Sequence, residues 1–187
     1  PGLFVIGEAN FSDHGANRLG ANALLQGLVD GYFIVPSTVA NYLATTRPAP
    51  VNAEHPHCVQ AESETSERVR RLLRAGGTRP VESLHQELGR IMWDHCGMAR
   101  TREGLTRGLE RIAELRDRFS REVRVPGVNE EFNVSLERAL RVADFMEFAD
   151  VICHYALARD ESCGAHFREA FQTTEGGARR AEVGFCH

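Results

Sequence analysis

Near the start of the chain a carboxylate (Glu8) and a guanidinium (Arg18) flank a loop rich in Gly and Asn, with Gly15 and Gly20 just ahead of the apolar run that begins at Asn22. A carboxylate here suits acceptance of hydrogen bonds from polyol or ribose hydroxyls. Arg18 offers a planar, permanently charged fork that matches a carboxylate. The glycines let backbone come close to a ligand. The N–H groups near Ala23 and Leu24 sit at the positive end of an expected helix, suited to an anion or an electron-rich ring. Gly/Asn-rich helix starts also occur as plain structural turns, so spacing alone leaves a ligand site and a structural turn both open.

Other clusters carry less chemistry. His95 and Cys96 are neighbours, but adjacent residues on a helix point about 100° apart, so they do not face each other as a nucleophilic pair must. They read instead as a helix terminus turning at Gly97. His55, His57 and Cys58 are metal-ligand types in a polar stretch without a fourth partner. Cys153 and His154 fall inside a long helical pattern and read as packing. The five cysteines are scattered and odd in number, which argues against a disulfide framework or a cysteine-rich metal site and favours a reducing compartment. The segment "ESCGAHFREAFQTTEGGARR" is harder to place. Gly164 breaks the helix, His166 and Arg168 follow in an extended stretch, and Glu169 and Glu175 alternate with Phe167 and Phe171. It reads either as a helix terminus tied down by polar side chains or as a contact surface near a larger active site.

These groups need elements to position them. Leu3 to Ile6 form a short apolar run ended by Gly7, the pattern of a buried strand. Leu24, Leu25, Leu28, Val29, Tyr32 and Phe33 recur at helical spacing, and Pro36 predicts a break or a new start. The polar, Pro-rich stretch 46–65 reads as a linker. Beyond it the pattern predicts helices over 66–74 and 80–95, a third capped by Thr101 with Leu105, Leu109, Ile112, Leu115 and Phe119 on one face, and a fourth from Asn133 to Arg159. The fourth is expected to bury Leu136, Leu140, Val142, Phe145, Met146, Ala149, Ile152 and Tyr155. The expected fold is therefore mainly α. A helical bundle (66–187) follows a linker (46–65) and a strand–loop–helix piece (1–45) that resembles the end of an α/β nucleotide-binding domain.

Composition sets bounds on function. The net charge is −4 and all 22 basic residues are Arg, which gives no reason to expect a nucleic-acid partner. The stretch Leu24 to Val35 is interrupted by Gln26, Asp30 and Gly31, so a free-standing transmembrane helix is not expected. No secretory leader is expected either, and the absence of a starting Met suggests a fragment.

"GLFVIGEANFSDHGANRLGANALLQGLVDGYF", "IMWDHCGMARTREGLTRGLERI" and "ESCGAHFREAFQTTEGGARR" together resemble, in this order, the C-terminal part of the succinate dehydrogenase and fumarate reductase flavoprotein family. The resemblance implies the last strand and helix of the FAD-binding domain followed by the helical domain. It implies FAD as cofactor, with Glu8 on its ribityl chain and the backbone at Ala23 and Leu24 on the flavin ring. Arg18 would hold a carboxylate of the dicarboxylate substrate. Implied partners are the N-terminal part of the flavoprotein and an iron–sulfur subunit, with the membrane reached only through anchor subunits on the cytoplasmic side. A complete member begins with GxGxxG and carries its flavin-linking His, its proton-transferring Arg and a further substrate His outside the stretch matched here, so no catalytic residue or metal ligand is assigned to this chain and the isolated piece is expected to be inactive. Ala23 stands where many members have Ser, Cys163 where some have Arg, and the tail "RRAEVGFCH" departs from the expected continuation. "HGANRLG" also occurs in the related aspartate oxidases, which stay open as an alternative, as does a non-catalytic helical interaction module.

Overall fold

The structure, a computed structural model, describes residues 2–10, 20–47, 49–127 and 132–181. It divides into two compact units, Pro1–Asn52 and Ala53–Phe185.

In the first unit a short 3-10 helix, Gly7–Asn10, precedes α1 (Asn22–Val29), a π turn (Asp30–Ile34) and α2 (Val35–Thr46). The strand expected at Leu3–Ile6 is not formed, since its residues carry no ladder hydrogen bonds and are exposed. A strand needs a neighbour, and the described residues of this unit offer none. The segment instead runs back along the helices. Phe4 meets the Tyr42 ring edge-on at 5.7 Å, and the Gly7 N–H donates to Asp30 Oδ2 at 2.7 Å. Gly7 sits at φ +62°, with Gly27 Cα 3.6 Å from where a side chain would begin.

At Pro36, where a break or a new start is expected, a new helix starts. The π turn, closed by Val35 N–H to the Asp30 carbonyl, shifts the register so that Pro36 falls in the first turn of α2, where a backbone donor is not needed. Helix therefore runs through Asn22–Thr46, long and apolar enough by length and composition alone to cross a membrane. Gln26 and Asp30 do not interrupt it, because the first is buried and the second is engaged by Gly7. Only 6% of its most apolar window is buried within this chain.

The second unit holds α3 (Pro56–Arg74), α4 (Val81–Cys96), α5 (Arg102–Glu122) and α6 (Val134–Ala158). Helix α3 begins inside the stretch read as a linker and ten residues before the helix expected there, because His55 caps it through Nδ1 to the His57 N–H and Pro56 suits the first turn. The other starts match their sequence signals: Thr101 Oγ1 accepts from Gly104 N–H and Asn133 Oδ1 from Leu136 N–H, each at 3.0 Å. One core joins α4, α5 and α6 through Leu84, Leu88, Leu105, Ile112, Leu115, Val142 and Met146.

Within α6 the buried stripe is Leu136, Ala139, Val142, Met146, Ala149, Cys153 and Ala156. Phe145 and Tyr155, expected inside, are 42% and 59% exposed. The helix is apolar on two sides, and its small residues face the neighbouring helices because they allow close packing. A two-residue parallel pairing, β1 (Arg79–Pro80) with β2 (Val123–Arg124), clamps the starts and ends of these helices. It depends on Gly77, where a Cβ would lie 2.1 Å from the Glu122 carbonyl group.

Candidate functional site

The sequence-derived site lies at the start of α1. Ala21 adopts a left-handed conformation (φ 62°) and no side chain caps the helix. The first backbone donor used within the helix is Leu25 N–H, to the Ala21 carbonyl at 3.0 Å. The N–H groups of Asn22, Ala23 and Leu24 thus stand at the positive end of the helix without an intrahelical acceptor. Ala23 is buried and presents only a methyl group, whereas Leu24 is 76% exposed. Glu8, exposed, follows directly on Gly7, whose contacts with Gly27 and Asp30 place it about one to two helical turns along α1 from Ala23. The structure therefore places Ala23 and Leu24 at the start of α1 and Glu8 on the segment that meets the other end of this helix. Arg18, with His14 and Gly15, lies outside the described residues.

One feature of α1 went unread in the sequence. Gln26 is buried with neither its amide oxygen nor its nitrogen hydrogen-bonded among the described residues. Its place three residues beyond Ala23 puts both on one face. In the sequence it registers only as a polar interruption, since a buried amide has no local signature.

The second unit carries a polar cluster after α6. Arg168 is 1% exposed. Its Nη1 donates to the carbonyls of Ala156 (2.6 Å), Leu157 (3.2 Å) and Arg159 (3.3 Å), closing the C-terminus of α6. Its backbone is held by Ser162, whose hydroxyl accepts from Arg168 N–H at 2.8 Å and donates to the Arg168 carbonyl at 3.0 Å. Glu161, also buried, meets Arg159 at 2.5 Å and accepts from Ala181 N–H.

His166 lies between Arg100 Nη1 (3.1 Å from Nδ1) and the Arg159 carbonyl (3.2 Å from Nε2). The neutral tautomer with hydrogen on Nε2 satisfies both contacts. Burial, and then the charges of Arg159, Arg100 and Arg168, hold its pKa below the ordinary 6.5, against the opposing hydrogen bond to the Arg159 carbonyl. Of the two readings of this segment, the geometry shows the tied-down terminus. Arg100 was not legible, because its partner is 66 residues away.

A pH dependence follows. The unfolded chain takes up a proton on His166 near pH 6.5 and the folded chain resists it, so the His166 contribution is fully present above 6.5 and is lost as pH falls toward the depressed folded value. Urea midpoints measured between about pH 7.5 and 5.5 should fall for the wild type and fall less for His166→Gln. Equal slopes would show that His166 titrates alike in both states.

Near this cluster, His95 and Cys96 do not form a pair. Cys96 is buried in the core together with Cys153, whereas His154, read as packing, is exposed, with its Nδ1 3.2 Å from Asp150 Oδ2.

Residues 85–187 match the sequence model of the family described as "Fumarate reductase flavoprotein C-term". The chain belongs to this family. Across 98% of its length it is 32% identical to the fumarate reductase flavoprotein subunit of Escherichia coli, and across 91% it is 33% identical to the succinate dehydrogenase flavoprotein subunit of Rickettsia bellii. Solved structures agree. An Escherichia coli quinol fumarate reductase chain superposes with a TM-score of 0.76 at 31% identity over 98% of this chain and 30% of its own. A Mycobacterium smegmatis Sdh1 complex gives 0.76 at 29% identity over 91% and 27%. The mainly helical architecture is that of this flavoprotein family's C-terminal region, and the chain spans under a third of the length of these relatives.

Proposed function

We propose that this chain is the C-terminal part of a flavoprotein that interconverts succinate and fumarate and passes electrons to an iron–sulfur subunit. The observation that carries the reading is the uncapped start of α1, with three N–H groups and a methyl-sized side chain at Ala23, in a chain of this flavoprotein family. These residues fit a flavin. When bound, FAD supplies the hydride-accepting chemistry. The chain's own groups hold it there: the Ala23 and Leu24 backbone touches the ring, the positive end of α1 favours electron density on it, and the Glu8 carboxylate accepts from the ribityl hydroxyls. Arg18 grips a substrate carboxylate in a bidentate fork, fixing the carbon to be oxidised or reduced.

The apolar residues left bare along Asn22–Thr46, among them Leu24, Leu28, Tyr32, Phe33 and Leu43, are the face on which the N-terminal part of the flavoprotein packs. We read this helix as interdomain core rather than a membrane span, since Gln26 is buried in its own unit and Asp30 accepts from the Gly7 N–H there. The assembled enzyme is then cytoplasmic and peripheral, reaching the membrane through anchor subunits.

The test is to produce the chain alone and together with the N-terminal part of the same flavoprotein. The assembled protein should show FAD absorbance and oxidise a reduced viologen dye with fumarate, while the chain alone does neither. Tight FAD binding or turnover by the chain alone would overturn the division of labour. Turnover of aspartate in place of succinate would move the enzyme to the aspartate oxidase class.

A further inference from the structure

We propose that Gln26 is a further flavin-binding residue of this chain, its side-chain amide donating to a ring carbonyl and accepting from the imide N–H at the pyrimidine end of the flavin. The inference rests on the reading that the start of α1 holds FAD, and it adds a side chain to that site.

Burial along α1 is inverted. Among the described residues of the first unit only Ala23 and Gln26 are buried, while Leu24, Leu25 and Leu28 of the same helix are exposed. Apolar packing produces the reverse pattern. Gln26 keeps 9% exposure, and neither its amide nitrogen nor its amide oxygen has a hydrogen-bond partner among the described residues. A buried amide left unpaired is costly, and such groups are rare in folded proteins. A ligand that supplies both missing partners removes the cost.

The helix determines where that ligand lies. Gln26 is three residues beyond Ala23, about 4.5 Å along the axis and on the same face. Long side chains on a helix lean toward its N-terminus, so Gln26 reaches back over the first turn. There the Asn22, Ala23 and Leu24 N–H groups have no intrahelical acceptor, and no side chain caps the helix. Because no hydrogen bond tethers the amide, turning it about its own side-chain bonds toward a ligand at the helix start breaks nothing and makes two bonds.

The amide also selects the chemistry of its partner. It has a donor and an acceptor to satisfy, so the ligand must present an acceptor and a donor side by side. The pyrimidine end of a flavin does so, with an imide N–H between two carbonyls. A phosphate or a carboxylate offers acceptors alone and leaves the Gln26 oxygen unpaired.

The experiment uses the flavoprotein assembled from this chain and its N-terminal part, stripped of FAD and titrated with it. Gln26→Met keeps the length of the side chain and loses both hydrogen-bonding functions. Its FAD dissociation constant should rise about tenfold, the scale of two lost hydrogen bonds. The thermal midpoint of the FAD-free assembly should stay the same or rise, since an unpaired amide has been removed. With FAD isotope-labelled at its ring carbonyls, the infrared carbonyl band should move to higher frequency in Gln26→Met, as a carbonyl does on losing a donor. Gln26→Glu keeps an acceptor but brings a negative charge to the ring, so the flavin midpoint potential should become more negative. A wild-type dissociation constant and carbonyl band in Gln26→Met would overturn the proposal. So would weaker FAD binding accompanied by a lower midpoint of the FAD-free assembly, which marks an amide that serves the fold or the joining of the two parts. If Gln26→Met does not assemble, an unchanged potential in Gln26→Glu overturns it instead. A wild-type assembly that takes up no FAD removes the flavin reading itself, whereas FAD bound alike by wild type and Gln26→Met removes Gln26 alone.

Discussion

Arg168→Met should destabilise the helical unit by about 3 kcal/mol. The guanidinium is enclosed and its Nη1 serves three carbonyls at the end of α6. A methionine fills much of the volume but leaves the Ala156 and Leu157 carbonyls without that donor, the Arg159 carbonyl keeping His166, at the point where the helix dipole makes them most negative. The residue also stacks over Phe171, 5.5 Å from the ring centroid, an attraction that a thioether replaces only in part. Arg168→Lys should recover a fraction of the loss, because the ammonium keeps a charge and donors but not the planar contact. Urea denaturation of the three proteins, read as midpoint at constant slope, measures both effects. A wild-type midpoint for Arg168→Met would mean that water serves the carbonyls as well as the side chain does.

In the assembled flavoprotein, Arg18→Ala should lower kcat/KM for fumarate by a factor on the order of a thousand, the scale of losing a charge-assisted bidentate pair in a closed site. Both parameters should move. KM rises because a carboxylate anchor is lost, and kcat falls because the reacting carbon is no longer held in line. Arg18→Lys should rescue little, since a point charge cannot reproduce the fork. FAD absorbance should stay at the wild-type level in both variants. Loss of flavin together with loss of activity would assign Arg18 to cofactor binding instead, and wild-type kcat/KM in Arg18→Ala would remove it from the site.

The sequence was most informative where a signal is local. Thr101 and Asn133 announce their helices by side chains that cap backbone three residues on, and Leu105, Ile112, Leu115 and Phe119 announce their buried face by spacing. It was least informative where partners are distant. Leu3–Ile6 has the composition of a strand, but strand formation depends on a neighbour that local pattern cannot see. Pro36 signals the start of α2, but not the π turn that joins it to α1, which depends on the register of several backbone groups at once. Phe145 and Tyr155 were placed inside because apolarity alone does not tell an inner face from an outer one. Within the candidate site, Glu8, Ala23 and Leu24 could be singled out from the residue types around a Gly-rich loop. Gln26 could not, because its significance is an unmet hydrogen bond rather than a motif.

The two units differ in what keeps them folded. The second encloses its own core, while the first leaves nearly all of the apolar window in Asn22–Thr46 outside it. A damaging substitution in α4 or α5 is therefore a folding lesion, felt by the chain wherever it is made. On the packing proposed for this helix, the same substitution at Leu28 or Phe33 should be silent in the isolated chain and surface only as a failure of assembly, which would put variants in these two stretches in different genetic classes although they lie in one short polypeptide.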